Sequence, residues 1–211
     1  MITRFCFVRH GETDWNAAKR VQGQIEIDLN RRGEAQARAL RPGLARHAFQ
    51  AVYSSTLGRA WRTALLSTEG LGLPAVLPAP TFRERDYGVY QGLTAAEALA
   101  RHPEVHHHYS ARSLDYDYET GESLRAFSVR VLDGARQLAA SHAGGNVLVF
   151  THGGVLDVLY RVATGRGLEV ARDFTIPNAA LNWIEHRDGV WTLVSWGDTA
   201  HLQRALDEVA E

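Results

Sequence analysis

The chain has 211 residues, enough for one domain of ordinary size with a full hydrophobic core and room for an insertion. With 45% hydrophobic and 22% charged residues it reads as a globular protein, and no apolar run approaches the ~20 residues a membrane span requires. A formal net charge of -1 excludes a general attraction to nucleic acid or acidic membranes, so any anion site must be local.

Arg4 and Arg9 interrupt the apolar segment a signal peptide would need, and the single Cys6 has no internal disulfide partner; both point to the cytoplasm. Lys19 is the sole lysine, so a Walker-type phosphate loop is absent. Phe5-Cys6-Phe7-Val8 reads as a buried strand that runs directly into Arg9-His10-Gly11. A glycine there lets the backbone turn sharply, so His10 can be held at the carboxyl edge of a sheet, where open α/β proteins place ligands. Asn30 predicts an N-cap for a helix through about Arg46, with Ala35, Ala39, Leu40 and Leu44 as its apolar stripe, and Gly33 stands where a capping box would want Glu or Gln. Ala51 to Ser54 predicts a short strand, followed by a helix from about Leu57 to Ser67. Gly70, Gly72 and Ala75 match a dinucleotide fingerprint only superficially, because no strand is predicted before them and Pro74 intervenes.

From about Gln91 to Gly121 the strand and helix alternation lapses into an insertion, with a helix from Thr94 to Arg101 and then an irregular His- and Tyr-rich stretch through Glu119. A long amphipathic helix follows from about Glu122 to Ser141, closed by Gly144-Gly145. Asn146 to Phe150 is a second buried-strand pattern and runs into Thr151-His152-Gly153-Gly154 and a helix from Val155 to Ala163. Two strands thus deliver a histidine followed by glycine to one sheet edge. Ala180 to Glu185 and Val190 to Ser195, around Arg187-Asp188-Gly189, read as an antiparallel hairpin at the sheet margin, an edge able to support a homodimer. The pattern predicts a single three-layer α/β domain over residues 1–211: a mostly parallel sheet between helices, with the insertion at about 91–121 as a partial lid over the carboxyl edge.

Phosphoryl transfer to histidine requires a neutral nucleophile, cations and donors for the phosphoryl oxygens, and an acid for the leaving oxygen. His10 can attack, with Arg9 beside it; Arg59, in the first turn of a helix after a strand, can reach the same edge; Glu84 lies among charges just before the insertion.

The order of these motifs resembles the histidine phosphatase superfamily, the phosphoglycerate mutase-like group, over essentially the whole chain. Arg9-His10-Gly11-Glu12-Thr13 with Trp15-Asn16, Gln22-Gly23, Ser54-Ser55-Thr56-Leu57-Gly58-Arg59-Ala60, Glu84 with Tyr87-Gly88, and Thr151-His152-Gly153-Gly154 carry the likeness. The resemblance implies His10 as phosphoryl acceptor, Arg9, Arg59 and His152 as the phosphate pocket, and Glu84 as proton donor. It further implies Asn16, Gln22, Gly23, Arg85, Tyr87 and Gly153 as substrate-binding surroundings, with no metal or cofactor. Phosphoglycerate mutases resemble the pattern but carry Thr-Gly in place of Gln22-Gly23, His-Gly-Asn in place of His152-Gly153-Gly154, and an arginine pair and a lysine in the insertion. This insertion has only the isolated Arg101 and Arg112. The expectation is therefore a metal-independent phosphomonoesterase acting on a small phosphorylated metabolite. A phosphoglycerate mutase and a non-catalytic phospho-ligand binder are the alternatives.

His106, His107 and His108 do not form a metal site on spacing, because consecutive side chains point in different directions. His-Glu-x-x-His and the Gly-x-Ser-x-Gly elbow are both absent. Asn178 and His201 are expected to be structural, and Asp86 or Glu12 are the fallback acids should Glu84 not serve.

Overall fold

The computed structural model describes residues 1–202. In chain order the elements are β1 (Thr3–Arg9), α1 (Asp14–Ala17), α2 (Arg31–Ala39), α3 (Arg41–Leu44), β2 (Ala51–Ser54), α4 (Gly58–Thr68) and β3 (Val76–Pro78). There follow α5 (Ala95–Arg101), α6 (Pro103–Ser110), α7 (Leu124–Ser141), β4 (Asn146–Thr151), α8 (Gly153–Thr164), β5 (Leu181–Arg187) and β6 (Val190–Asp198). The strands form one sheet in the order β3-β2-β4-β1-β5-β6, parallel from β3 through β1 and antiparallel in β5 and β6.

Strand periodicity divides the core between the two faces. Phe5, Phe7, Val147 and Val149 pack with Phe127 and Val131 of α7 and Val155 and Leu159 of α8. Cys6, Val8, Leu148 and Phe150 turn the other way, toward Leu40, Leu44 and Ala64. The sheet is thus a middle layer between helices, as the alternating sequence predicts. The hairpin closes through Asp188 and Gly189, both at positive φ (50° and 85°), the backbone of a two-residue type I′ turn.

Four sequence readings are corrected. The helix expected from Asn30 to Arg46 keeps its cap, the Asn30 side chain accepting from Gly33 N–H at 2.8 Å, but it divides at Leu40 because Pro42 cannot donate into a continuing ladder. Its buried face is Gly33, Gln36 and Ala37, continued by Leu40 and Leu44, rather than a stripe through Ala35 and Ala39. The His- and Tyr-rich stretch is helical over α6, started by Pro103 at its first turn. The edge strand β3 was not expected; Pro78 at its end is tolerated there because the outer side of β3 has no strand neighbour among the described residues.

Gly33 fails as a capping-box residue for a steric reason. A Cβ on Gly33 would lie 2.0 Å from Glu12 O, and one on Gly11 would lie 2.3 Å from Gly33 O, so α2 rests backbone to backbone on the loop after β1. Gly33→Ala would gain about 1 kcal/mol of helix propensity, against about 1–3 kcal/mol for overpacking rigid backbone. The expected net result is a lower midpoint in thermal or urea unfolding; a midpoint at or above wild type would show that the two segments separate freely.

The insertion builds its own small core from Tyr90, Ala98, Val105 and Tyr118, on which Tyr109 stacks against Tyr90 with ring centroids 4.4 Å apart. It lies over the carboxyl ends of β1 and β4, where its residues Ala95, His106, Tyr109, Ser110, Arg112 and Tyr118 line a cavity of about 830 Å³.

Candidate active site

Three chain segments leave the sheet side by side. The register pairs Arg9 with Thr151 and Ser54 with Phe150, so His10, Ser55 and His152 are the first residues beyond β1, β2 and β4. His10 N–H donates to Thr151 O and Ser55 N–H to Phe150 O, both at 2.9 Å, continuing the sheet ladder past its last paired residues. The two histidine rings stand 5.2 Å apart between centroids.

His10 is buried, and its Nδ1 lies 2.7 Å from Gly11 O. A carbonyl only accepts, so the ring proton sits on Nδ1 and the lone pair on Nε2. Burial, and then the charges of Arg59 and Arg9, push its pKa well below the ordinary histidine value, the Gly11 hydrogen bond opposing them. The ring is held neutral at physiological pH.

His152 is fully buried, with Nε2 2.7 Å from Ser55 Oγ. The Ser55 oxygen accepts from Leu57 N–H at 3.3 Å, and since its hydroxyl proton has no other acceptor among the described residues it is assigned to Nε2, which puts the ring proton on Nδ1, an atom with no partner among those residues. Burial, Arg59 and His10 hold this ring neutral too, its pKa well below the usual range.

Arg9 donates through one terminal nitrogen to Ile176 O at 2.5 Å, and Arg59 through its two to Ile25 O at 2.9 Å and Gly23 O at 2.6 Å. The Nε of each arginine is buried without a partner among the described residues. Burial lowers both guanidinium pKa values to about 10, with Glu84 opposing in each case, so both remain charged at neutral pH. Three N–H groups, Arg9 Nε, Arg59 Nε and His152 Nδ1, are therefore fixed at this edge without acceptors among the described residues; Arg9 and Arg59 line the cavity and His152 does not, and a phosphoryl group would supply acceptors to such an array.

Asn16 belongs to the same wall. Its Oδ1 accepts from Thr13 N–H and Oγ–H, both at 3.2 Å, and from Asn178 Nδ2 at 3.3 Å, which leaves its own NH2 for the cavity it lines. Asn178 also donates to His10 O at 2.9 Å and so fixes both residues. His201 bonds Ala179 O at 2.9 Å, away from the cavity lining.

Glu84 follows the 3-10 turn Pro80–Phe82, which Arg130 of α7 holds through Thr81 O and Arg83 O. Its carboxylate accepts from Arg85 N–H at 2.8 Å and Gly154 N–H at 2.9 Å. A Cβ on Gly154 would lie 2.2 Å from Glu84 Oε1, so the second glycine after His152 is the space in which this carboxylate sits. The fallback acids are elsewhere: Glu12 accepts from Asn30, Asp86 from Gly88 N–H, and neither lines the cavity.

Gln22 and Gly23 line the cavity, with Gln22 Oε1 buried and unpartnered among the described residues. Gly153 lies against the Arg9 guanidinium, a Cβ there meeting Arg9 Nε at 3.6 Å. Arg85 and Tyr87 also line it, but the Arg85 guanidinium is committed to Glu122 O and Tyr116 O and lies over the Tyr118 ring, and so ties the insertion down. Tyr87 packs edge-on to Tyr109 and Tyr118, and burial and Glu84 raise its pKa well above the usual tyrosine value.

The three consecutive histidines diverge. His106 meets Tyr90 Oη at 3.0 Å, His108 meets Ser113 Oγ at 2.9 Å, and His107 is exposed. Sequence reasoning missed Ser55 as the partner of His152, and it missed four charged cavity residues: Asp157, Lys19, Arg20 and Arg172. Ser55 was visible only as part of a motif, and the other four lie in no motif.

The chain belongs to the histidine phosphatase superfamily, branch 1, whose model matches residues 5–199. It is 39% identical over 203 residues, 95% of this chain and 84% of the other, to a metal-independent phosphoserine phosphatase of Arabidopsis thaliana. It is also 39% identical over 164 residues, 75% of this chain and 77% of the other, to a 2,3-bisphosphoglycerate-dependent phosphoglycerate mutase of Methylobacterium radiotolerans. Among solved structures, Bacillus stearothermophilus YhfR superposes with a TM-score of 0.88 at 28% identity, covering 95% of this chain and all of that one.

Proposed function

We propose that the protein is a metal-independent phosphomonoesterase that hydrolyses a small phosphorylated metabolite through a phosphohistidine. The observation that carries this reading is the pairing of a neutral His10, its lone pair fixed on Nε2, with three buried N–H groups that have no acceptor among the described residues.

In the first step Nε2 attacks phosphorus in line, the P–O ester bond breaks, and Glu84 protonates the departing alcohol. In the second, Glu84 takes a proton from water as its oxygen attacks the phosphohistidine, the P–N bond breaks, and His10 recovers its lone pair. Arg9, Arg59, Asn16 and His152 hold the phosphoryl oxygens in both steps and supply the positive field. Gln22, Gly23, Tyr87 and Gly153 shape the surroundings, Arg85 anchors the insertion, and the insertion acts as a partial lid within a single domain.

The name of the Arabidopsis relative makes phosphoserine the first substrate to test. One observation favours the mutase alternative: Lys19 and Arg172 line the cavity and their side chains have no hydrogen-bond or ion-pair partner among the described residues, so cations are present although the insertion supplies only Arg112. A scaffold that only bound phosphate would need neither the nucleophile nor the acid.

The test is a panel of phosphomonoesters with and without EDTA. The expected result is phosphate release at the same rate in both, independent of a bisphosphorylated primer. EDTA inhibition relieved by zinc or magnesium would overturn the metal-independent reading, and primer-dependent isomerisation of phosphoglycerate outrunning phosphate release would establish the mutase.

A further inference from the structure

Asn30, Gly33 and Gln36 stand at three-residue spacing along α2 and its cap, on one face, and all three meet Glu12, two residues beyond His10. Asn30 N–H donates to Glu12 O at 3.0 Å, and its Nδ2 to Glu12 Oε1 at 3.1 Å. Gly33 leaves the room for this approach, a Cβ there falling 2.0 Å from Glu12 O and 2.7 Å from Glu12 N. Gln36, one turn further on, takes the Glu12 N–H on its Oε1 at 2.8 Å. It is a polar side chain only 5% exposed, on the buried face it shares with Ala37 and Leu40. The backbone N–H can only donate, so the oxygen of the amide is the atom that faces it.

The Glu12 N–H and the Gly11 carbonyl belong to a single peptide group. That group is planar and trans, so its N–H and its C=O point in opposite directions. With the N–H held by Gln36, the carbonyl is turned away from α2 and onto His10 Nδ1, 2.7 Å away. The peptides on either side are pinned separately. Before it, Gly11 N–H donates to Thr63 Oγ1 at 3.0 Å and His10 O accepts from Asn178; after it, Glu12 O accepts from Asn30 and Thr13 N–H donates to Asn16 Oδ1. The Gly11–Glu12 peptide itself makes two hydrogen bonds among the described residues, to Gln36 on one side and from His10 on the other. Beside a glycine, a peptide meets little steric resistance to turning over. Turned over, it would offer His10 Nδ1 an N–H in place of a carbonyl, and the ring proton would move to Nε2, the atom that must carry the lone pair.

We propose that Gln36 is a positioning residue for the nucleophile: by holding the Gly11–Glu12 peptide it fixes the ring proton of His10 on Nδ1 and keeps the Nε2 lone pair free to attack phosphorus. Gln36 lies outside the cavity lining and acts through one peptide group. The close approach at Gly33 is what brings it within reach. This rests on the phosphohistidine reading.

In the wild type, heteronuclear NMR of nitrogen-labelled histidines, with the His10 signals assigned by their loss in His10→Ala, is expected to show the proton on Nδ1. The Glu12 amide should exchange at least about a hundredfold more slowly than in an unfolded chain. Gln36→Met exchanges the amide for an apolar side chain of similar length. The Nε2-protonated form of His10 should then appear, and kcat/KM on p-nitrophenyl phosphate should fall about five- to hundredfold, the scale of a buried N–H left without its acceptor. Inhibition by inorganic phosphate should weaken by no more than about threefold, because Arg9 and Arg59 are held by other bonds. Gln36→Glu keeps an acceptor oxygen and should retain the proton on Nδ1 and most of the turnover.

A folded Gln36→Met with the proton still on Nδ1 would overturn the proposal whatever its rate. So would equal losses of turnover in the Met and Glu variants, the mark of a side chain that only packs α2 against the loop. Should Gln36→Met not fold, the wild type and Gln36→Glu decide: a proton on Nε2 of His10 in either, or a freely exchanging Glu12 amide, overturns it as well. The tautomer is read without turnover. Phosphate release by the wild type with no change of tautomer in Gln36→Met therefore sinks this inference alone, whereas no release from any monoester sinks it together with the phosphatase reading.

Discussion

His10→Ala is expected to form no phosphoenzyme and to lose turnover by about 10⁴-fold or more, the scale of removing an attacking group. In the wild type, brief reaction with labelled substrate and an alkaline quench should trap phosphate on His10 as an adduct that survives alkali and is lost in acid. The effect is large because nothing nearby replaces the lone pair: His152 has its Nε2 bonded by Ser55 and its proton on Nδ1. The truncation opens into an existing cavity, so the fold should persist. Full turnover in the variant would move the attack to another group. The same burial has a consequence for pH. Since the folded state keeps both imidazoles neutral well below 6.5, the unfolded chain binds protons first on acidification. These two groups therefore cost no stability above about pH 6.5, and their destabilising effect grows as pH falls below it.

Glu84→Ala is expected to slow hydrolysis of an alkyl phosphate by about 10²- to 10⁴-fold while p-nitrophenyl phosphate loses far less. An alkoxide must be protonated as the P–O bond breaks, whereas a nitrophenolate leaves almost unaided. The structure sharpens the contrast, because the carboxylate is positioned by two backbone N–H groups that the substitution leaves in place. Equal losses on both substrates would assign Glu84 to holding the Arg85 and Gly154 backbone; Glu12 and Asp86, outside the cavity, are poor replacements.

The strands that carry His10 and His152 were legible because apolar alternation and a following glycine are local signals, and the sheet edge they share follows from the strand and helix alternation. Asn30 announced its helix for the same reason. What failed was non-local. Pro42 was visible, yet whether it kinks or divides a helix depends on what packs around it. The three residues of β3 are strand only because β2 lies beside them. Gly33 gave no hint that another backbone would lie against it. Asp157 reads in sequence as a polar residue in an apolar helix, and only the folded chain shows that Arg112 of the insertion and Arg161 of the same helix both bond its carboxylate.

The place of β1 in the sheet has a consequence for synthesis. Its residues emerge before those of the other strands, but their hydrogen-bonding partners are β4 and β5, beyond residue 145. The nucleophile's strand must wait through the making of most of the chain with both edges unpaired and with Phe5, Cys6, Phe7 and Val8 exposed, a segment of the kind that associates with other chains. The sheet edge that carries His10 and His152 thus closes only after β4 and β5 have been made, and long-range closure of this kind makes slow folding the natural expectation for this domain.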